Sequence, residues 1–65
     1  MQTSKVYIMQ AGSYDLFGNG IPSICAVGEV WECYSSMAAV HIQAGAMRFA
    51  TSQEITDAMA AGKAH

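Results

Sequence analysis

The sequence predicts a small α+β domain, one curved antiparallel sheet of about four strands carrying two short helices. Three observations lead there. Short β-branched and aromatic runs lie at 5–11, 23–27, 29–34 and 46–50, each bounded by glycine or turn residues. An alanine-rich stretch after Ser35-Ser36 stops at Gly45, and TSQEITDAMAAG carries a helix start and stop of its own. At 65 residues the chain has room for a single domain, 1–65.

The first run, Lys5 to Ala11, places Val6 and Ile8 on one face and Tyr7 and Met9 on the other. Both faces are apolar, so this strand is expected to be central or covered by another subunit. Gly12-Ser13 ends it. From Tyr14 to Pro22 turn chemistry dominates, with Asn19-Gly20 as a turn dipeptide and Pro22 unable to donate to a ladder. This loop still carries Tyr14, Leu16 and Phe17. They are expected to tuck beneath it as a satellite cluster, or else to form a finger that inserts into a neighbour.

Ser23 to Val27 reads as a second strand, broken by Gly28, and Glu29 to Tyr34 as a third. Alternation puts Trp31 and Cys33 on one face, and burial economy turns Trp31 inward. Ser35-Ser36 supplies an N-cap for a helix from Met37 to Ala44, with Gly45 at the left-handed position beyond it. A strand reading of this segment also exists, because Val40, Ile42 and Ala44 alternate with His41 and Gln43. The preceding alanines and the serine favour the helix. Ala46 to Ala50 returns as a strand. Thr51 and Glu54 have capping-box spacing, and the last helix is expected to bury Ile55, Ala58 and Met59 before Gly62. Lys63 and His65 lie beyond its negative end, His65 on a terminus expected to fray.

Composition narrows the function classes. The chain is 52% hydrophobic and 12% charged, with a formal charge of −2. So apolar a small chain is expected to leave some apolar surface outside its core, the mark of self-association or a protein partner. Lys5, Arg48 and Lys63 are the only lysine and arginine residues and they are scattered, which argues against nucleic acid. No apolar run approaches the ~20 residues that span a bilayer, and Lys5 interrupts any leader-like start. The expectation is a soluble chain made in the cytoplasm, with Cys25 and Cys33 as reduced thiols behaving as small hydrophobes.

The residues that could carry chemistry do not form its patterns. Cys25, Cys33 and His41 are spaced by eight, without the close ligand pairs of a zinc site. Glu29 and Glu32 fall on opposite sides of a strand, which spoils them as an acid–base pair. Gly18-Asn19-Gly20 lacks the third glycine of a dinucleotide loop and the lysine of a P-loop. A chain of this size is not expected to enclose the ~300 Å³ of a small-molecule site. The sequence therefore reads as non-enzymatic, with no metal, no cofactor and no small-molecule substrate. The contact candidates are Tyr7, Met9, Tyr14, Leu16, Phe17 and His41.

Gly28, Glu29, Val30, Trp31, Glu32 and Cys33, followed by Ala38, Ala39, His41, Ile42 and Gly45 and a closing strand at 46–50, carry a resemblance. The pattern is similar to one common in very small proteins encoded among the structural genes of tailed bacteriophages. There a Gly-Glu-Val-x-Glu strand precedes an Ala-Ala helix ending in glycine. The match spans about positions 5–50. His41 stands where an apolar residue is usual, and the C-terminal helix is an addition. The resemblance implies a non-catalytic accessory protein of the particle, at capsid decoration or a head–tail junction, and located in the virion. It brings no active-site residues. The alternative expectation is a phage-encoded inhibitor that binds one host protein, such as a defence complex, a polymerase or a pilus motor.

Overall fold

The computed structural model describes all residues from Met1 to His65. Seven elements follow in order: β1 (Thr3–Ile8), β2 (Gly12–Tyr14), β3 (Ser23–Cys25), β4 (Val30–Tyr34), α1 (Ser35–Gln43), β5 (Met47–Phe49) and α2 (Ser52–Ala61). The architecture is α+β, as the sequence predicts. Its strands form two small antiparallel sheets rather than one: three strands in the order β4-β1-β5, and a β2-β3 hairpin.

β1 is the central strand, paired with both neighbours. Directly paired residues share a face, so the register defines two sides. Val6 with Trp31 and Phe49, Ile8 with Met47, and Ser4 with Cys33 lie on one. Tyr7 with Val30 and Arg48, and Lys5 with Glu32, lie on the other. The first side holds the main core, where Val6, Ile8, Cys33 and Met47 join Leu16, Cys25 and Ala38. α1 and the hairpin cover it. α2 crosses the second side, burying Ala58 near Val30.

The strand stops at Ile8, short of the expected Ala11, for a local reason. The amides of Met9 and Gln10 both donate to the single carbonyl of Ala46, each at 3.0 Å. Two residues opposing one is the count of a β-bulge, and it ends the regular ladder. The chain then turns at once into β2, so Gly12–Tyr14 is strand rather than loop.

Residues 40–43 are helical and Ala44 is the C-cap, but the serine cap is not formed. The N-cap residue is Tyr34, and no side chain bonds to a helix-start amide. β4 runs into α1 without a connecting loop, which places Ser35 inside the helix. Its Oγ instead meets Ser4 Oγ at 2.7 Å and ties the helix to β1. α2 matches the sequence more closely. Thr51 and Glu54 form the full capping box, and Gly62 closes the helix in the left-handed conformation. Of the three residues expected to be buried along α2, Ala58 is buried, Ile55 is half-buried and Met59 is 67% exposed. A helix that touches the sheet along one narrow line buries one position per two turns, not three.

The chain does not fray beyond Gly62. Val30 N–H donates to the Lys63 carbonyl at 3.0 Å, and His65 N–H donates to the Val30 carbonyl at 2.8 Å. Residues 63–65 thus add a short parallel bridge to the edge of β4. The His65 ring stacks on Trp31, centroids 4.2 Å apart, and its Nε2 lies 3.0 Å from Glu29 Oε2. Trp31 does face the core side, half-buried, and the imidazole covers part of its ring.

Replacing Thr51 by alanine removes the hydroxyl that accepts the Glu54 amide. Urea denaturation should show a loss of ~1 kcal/mol, and the Glu54 amide should become the most accelerated in hydrogen exchange.

Candidate contact surface

The six sequence candidates fall in three places. Leu16 is wholly buried in the main core, so it is removed from the contact set. A finger built on Leu16 is excluded, since the residue holds the loop down and cannot insert elsewhere. Tyr14 is half-buried against the same core, and its hydroxyl donates to the Gln10 carbonyl at 2.6 Å. His41 lies edge-on to Tyr14, centroids 5.3 Å apart, and its Nε2 is 2.9 Å from the Asp15 carbonyl. The histidine pins the loop to α1 rather than pointing outward.

Phe17 is 39% exposed and rests edge-on against Tyr34 at 5.3 Å. Met9 is exposed to a similar degree just past the end of β1. Tyr7 sits on the opposite side of the sheet, half-buried, with the Arg48 guanidinium 4.4 Å over its ring. The structure therefore gathers Tyr14, Leu16 and His41 beneath the loop, leaves Phe17 on the loop's surface, and separates Tyr7 and Met9 from them.

Asp15 organises the loop. Its carboxylate accepts the amides of Gly18 at 2.8 Å, Gly20 at 3.1 Å and Asn19 at 3.3 Å, and Asn19 Oδ1 accepts the Ile21 amide at 3.0 Å. Desolvation raises the Asp15 pKa, but the donated amides of Gly20, Gly18, Asn19 and Phe17 outweigh it and hold it below the ordinary value. At the far end of the hairpin Glu29 behaves similarly. The Ala26 amide at 2.7 Å and the Trp31 indole at 3.1 Å hold its pKa low, with His65 adding to them. Both flanking carboxylates are spent on their own chain.

Between them, from Leu16 to Gly28, there is no charged residue. That stretch exposes Ile24, 83% accessible on the outward side of β3, together with Ile21 and Val27. None of the three is among the six sequence candidates. The available signal was the uncharged run itself, together with the alternation that turns Cys25 inward and hence Ile24 outward.

The two cysteines are buried free thiols in the core. Burial, with the charge of Glu29 and then Cys33 adding to it, pushes the Cys25 thiol up to about 11, and burial followed by Glu32 raises Cys33. Neither is a ready nucleophile, because the reactive species is the thiolate. No three His, Cys, Asp or Glu side chains come together as a metal cluster, and no helix is long and apolar enough to cross a membrane.

A groove of about 390 Å³ lies between α2 and the second side of the sheet, lined by Tyr7, Gly28, Glu54, Asp57, Ala58, Ala61 and Lys63. The small side chains of α2 leave that space unfilled. At its rim Arg48 makes a two-pronged ion pair with Glu54, one arm at 2.6 Å. No protein family, curated protein or solved structure matches this chain.

Arg48 beside Glu54, with the Thr51 amide, depresses the carboxyl to about 2. A depressed carboxyl contributes stability that is present above its ordinary pKa near 4.5 and is lost as pH falls toward 2. An NMR titration of Glu54 should find its midpoint near 2, and Arg48→Ala should raise it toward the ordinary range. Within the loop, Leu16→Ala should cost ~2–5 kcal/mol in urea denaturation. Phe17→Ala should cost clearly less and leave the circular dichroism spectrum native.

Proposed function

We propose that this chain is a non-catalytic assembly protein that works through apolar protein–protein contacts, with the outer face of the β2-β3 hairpin as the contacting surface. The observation that carries the reading is the uncharged run from Leu16 to Gly28, which leaves Ile21, Ile24 and Val27 in solvent over a sealed core. Loose folding does not account for that exposure. The accessible surface is 3902 Å², close to the ~4,000 Å² that scaling gives a compact monomer of this mass.

The loop chemistry supports the same role. Asp15 and Asn19 already satisfy the backbone amides of the turn. A partner that covers this face then desolvates few polar groups, and the apolar area it removes from water is worth ~25 cal/mol per Å². A preformed hairpin also loses little conformational freedom on docking. Phe17, 39% exposed on the same loop, offers a further apolar contact.

The resemblance to small accessory proteins of tailed phages supplies the setting: a repeated contact in a virus particle. In that setting a small domain is present in many copies, and each contact can be weak. The rival role, inhibition of a host protein, would use the chain free in the infected cell.

Quantitative mass spectrometry across a density gradient of lysate from the source separates the two. Recovery in fixed ratio with the particle band is the expected result. Recovery only in the soluble fractions would overturn the structural role. Ile24→Asp should leave stability within ~0.5 kcal/mol, as a surface change does, and should remove the chain from the particle band.

A further inference from the structure

We propose that the groove beneath α2 is a binding site for a small zwitterion, an α-amino acid with an apolar side chain being the class of ligand. The site is independent of the hairpin surface and lies on the other side of the sheet. Its volume of about 390 Å³ falls within the ~300–1,000 Å³ of small-molecule sites.

The groove is not a shortage of bulk. α2 carries Met59, yet turns it to solvent and presents Ala58 and Ala61 to the sheet. On the facing wall Gly28 has a φ of +88°, which a side chain would strain, and an added Cβ would come to 3.9 Å from the Tyr7 hydroxyl. Three small residues therefore hold open a space that the chain had the side chains to fill.

The polar groups lining it are unequally committed. Glu54 is consumed by Arg48 and by the Thr51 amide at 2.9 Å. Asp57 accepts only the Gln53 amide, at 2.8 Å. The Lys63 ammonium makes no ion pair, and the Tyr7 hydroxyl makes no hydrogen bond within the chain. What remains for a ligand is one anion, one cation and one phenol. A simple anion would meet Asp57 and a simple cation would meet Lys63, each repelled by one of the two. A molecule with both charges satisfies both: its ammonium toward Asp57, its carboxylate toward Lys63, and its apolar part against the alanine methyls. The Lys63 backbone is fixed by its carbonyl bond to Val30, so this cation starts from an anchored stem.

The test is an amide-shift titration of the full chain with L-phenylalanine, N-acetyl-phenylalanine and phenylalanine amide. The expected result is saturable shifts at Gly28, Ala58, Ala61 and Lys63 with the free amino acid in the millimolar range. The two blocked forms should bind at least tenfold more weakly. Ala61→Leu, which fills the groove from an exposed helix position, should abolish the shifts while the spectrum stays folded. Lys63→Gln should weaken the free amino acid to the level of its amide. Absence of saturation overturns the site, as does equal binding of all three probes or unchanged binding in Ala61→Leu.

Discussion

Everything in this fold depends on β1 being the central strand, with a neighbour on each edge and elements packed on both faces. Val6 and Ile8 are completely buried on one side, and Tyr7 faces the other. A strand of this kind cannot rest on a single layer, because leaving either face wet forfeits the burial that holds so small a chain together. The chain meets the constraint with short elements: α1 and the β2-β3 hairpin on one side, α2 on the other. The two sides are unequal. The first is packed by seven interlocking residues. The second is closed at its ends, by the Arg48–Glu54 pair and by residues 63–65 on the edge of β4, with the groove between them.

The apolar residues of the hairpin divide between its two sides. The hairpin spends Leu16, Cys25 and Tyr14 inward to seal the main core. A two-stranded sheet has an outward side as well, and Ile24 occupies it. With both flanking carboxylates turned back on their own amides, nothing on this face repels an apolar partner. Core sealing and surface presentation are thus done by alternate residues of the same short strand. A substitution on one side need not disturb the other.

Local signals in the sequence carried much of the fold. The Val6/Ile8 alternation, the capping box at Thr51 and Glu54, and the glycine stops at Gly45 and Gly62 are short-range features, and each appears where its chemistry demands. The features that were illegible depend on distant partners. The bulge that ends β1 needs the Ala46 carbonyl, and the displaced role of Ser35 needs Ser4. His65 reads as a fraying end until Trp31 and Glu29 are brought beside it. On the loop, Phe17 stays at the surface and Leu16 turns into the core, because an apolar loop residue gives no local sign of which way it points. Ile24 was overlooked because its exposure follows from the inward turn of Cys25, a consequence of hairpin pairing.

A sealed core and an open apolar hairpin coexist in the free chain. Methyl relaxation induced by a soluble paramagnetic chelate measures this directly, because one residue type reports on both regions. Strong relaxation of the Ile21 and Ile24 methyls is expected at low protein concentration, and almost none at Ile8. Ile24 methyls as well shielded as those of Ile8 would contradict it, since the hairpin face would then be covered within the free chain and unavailable to any partner.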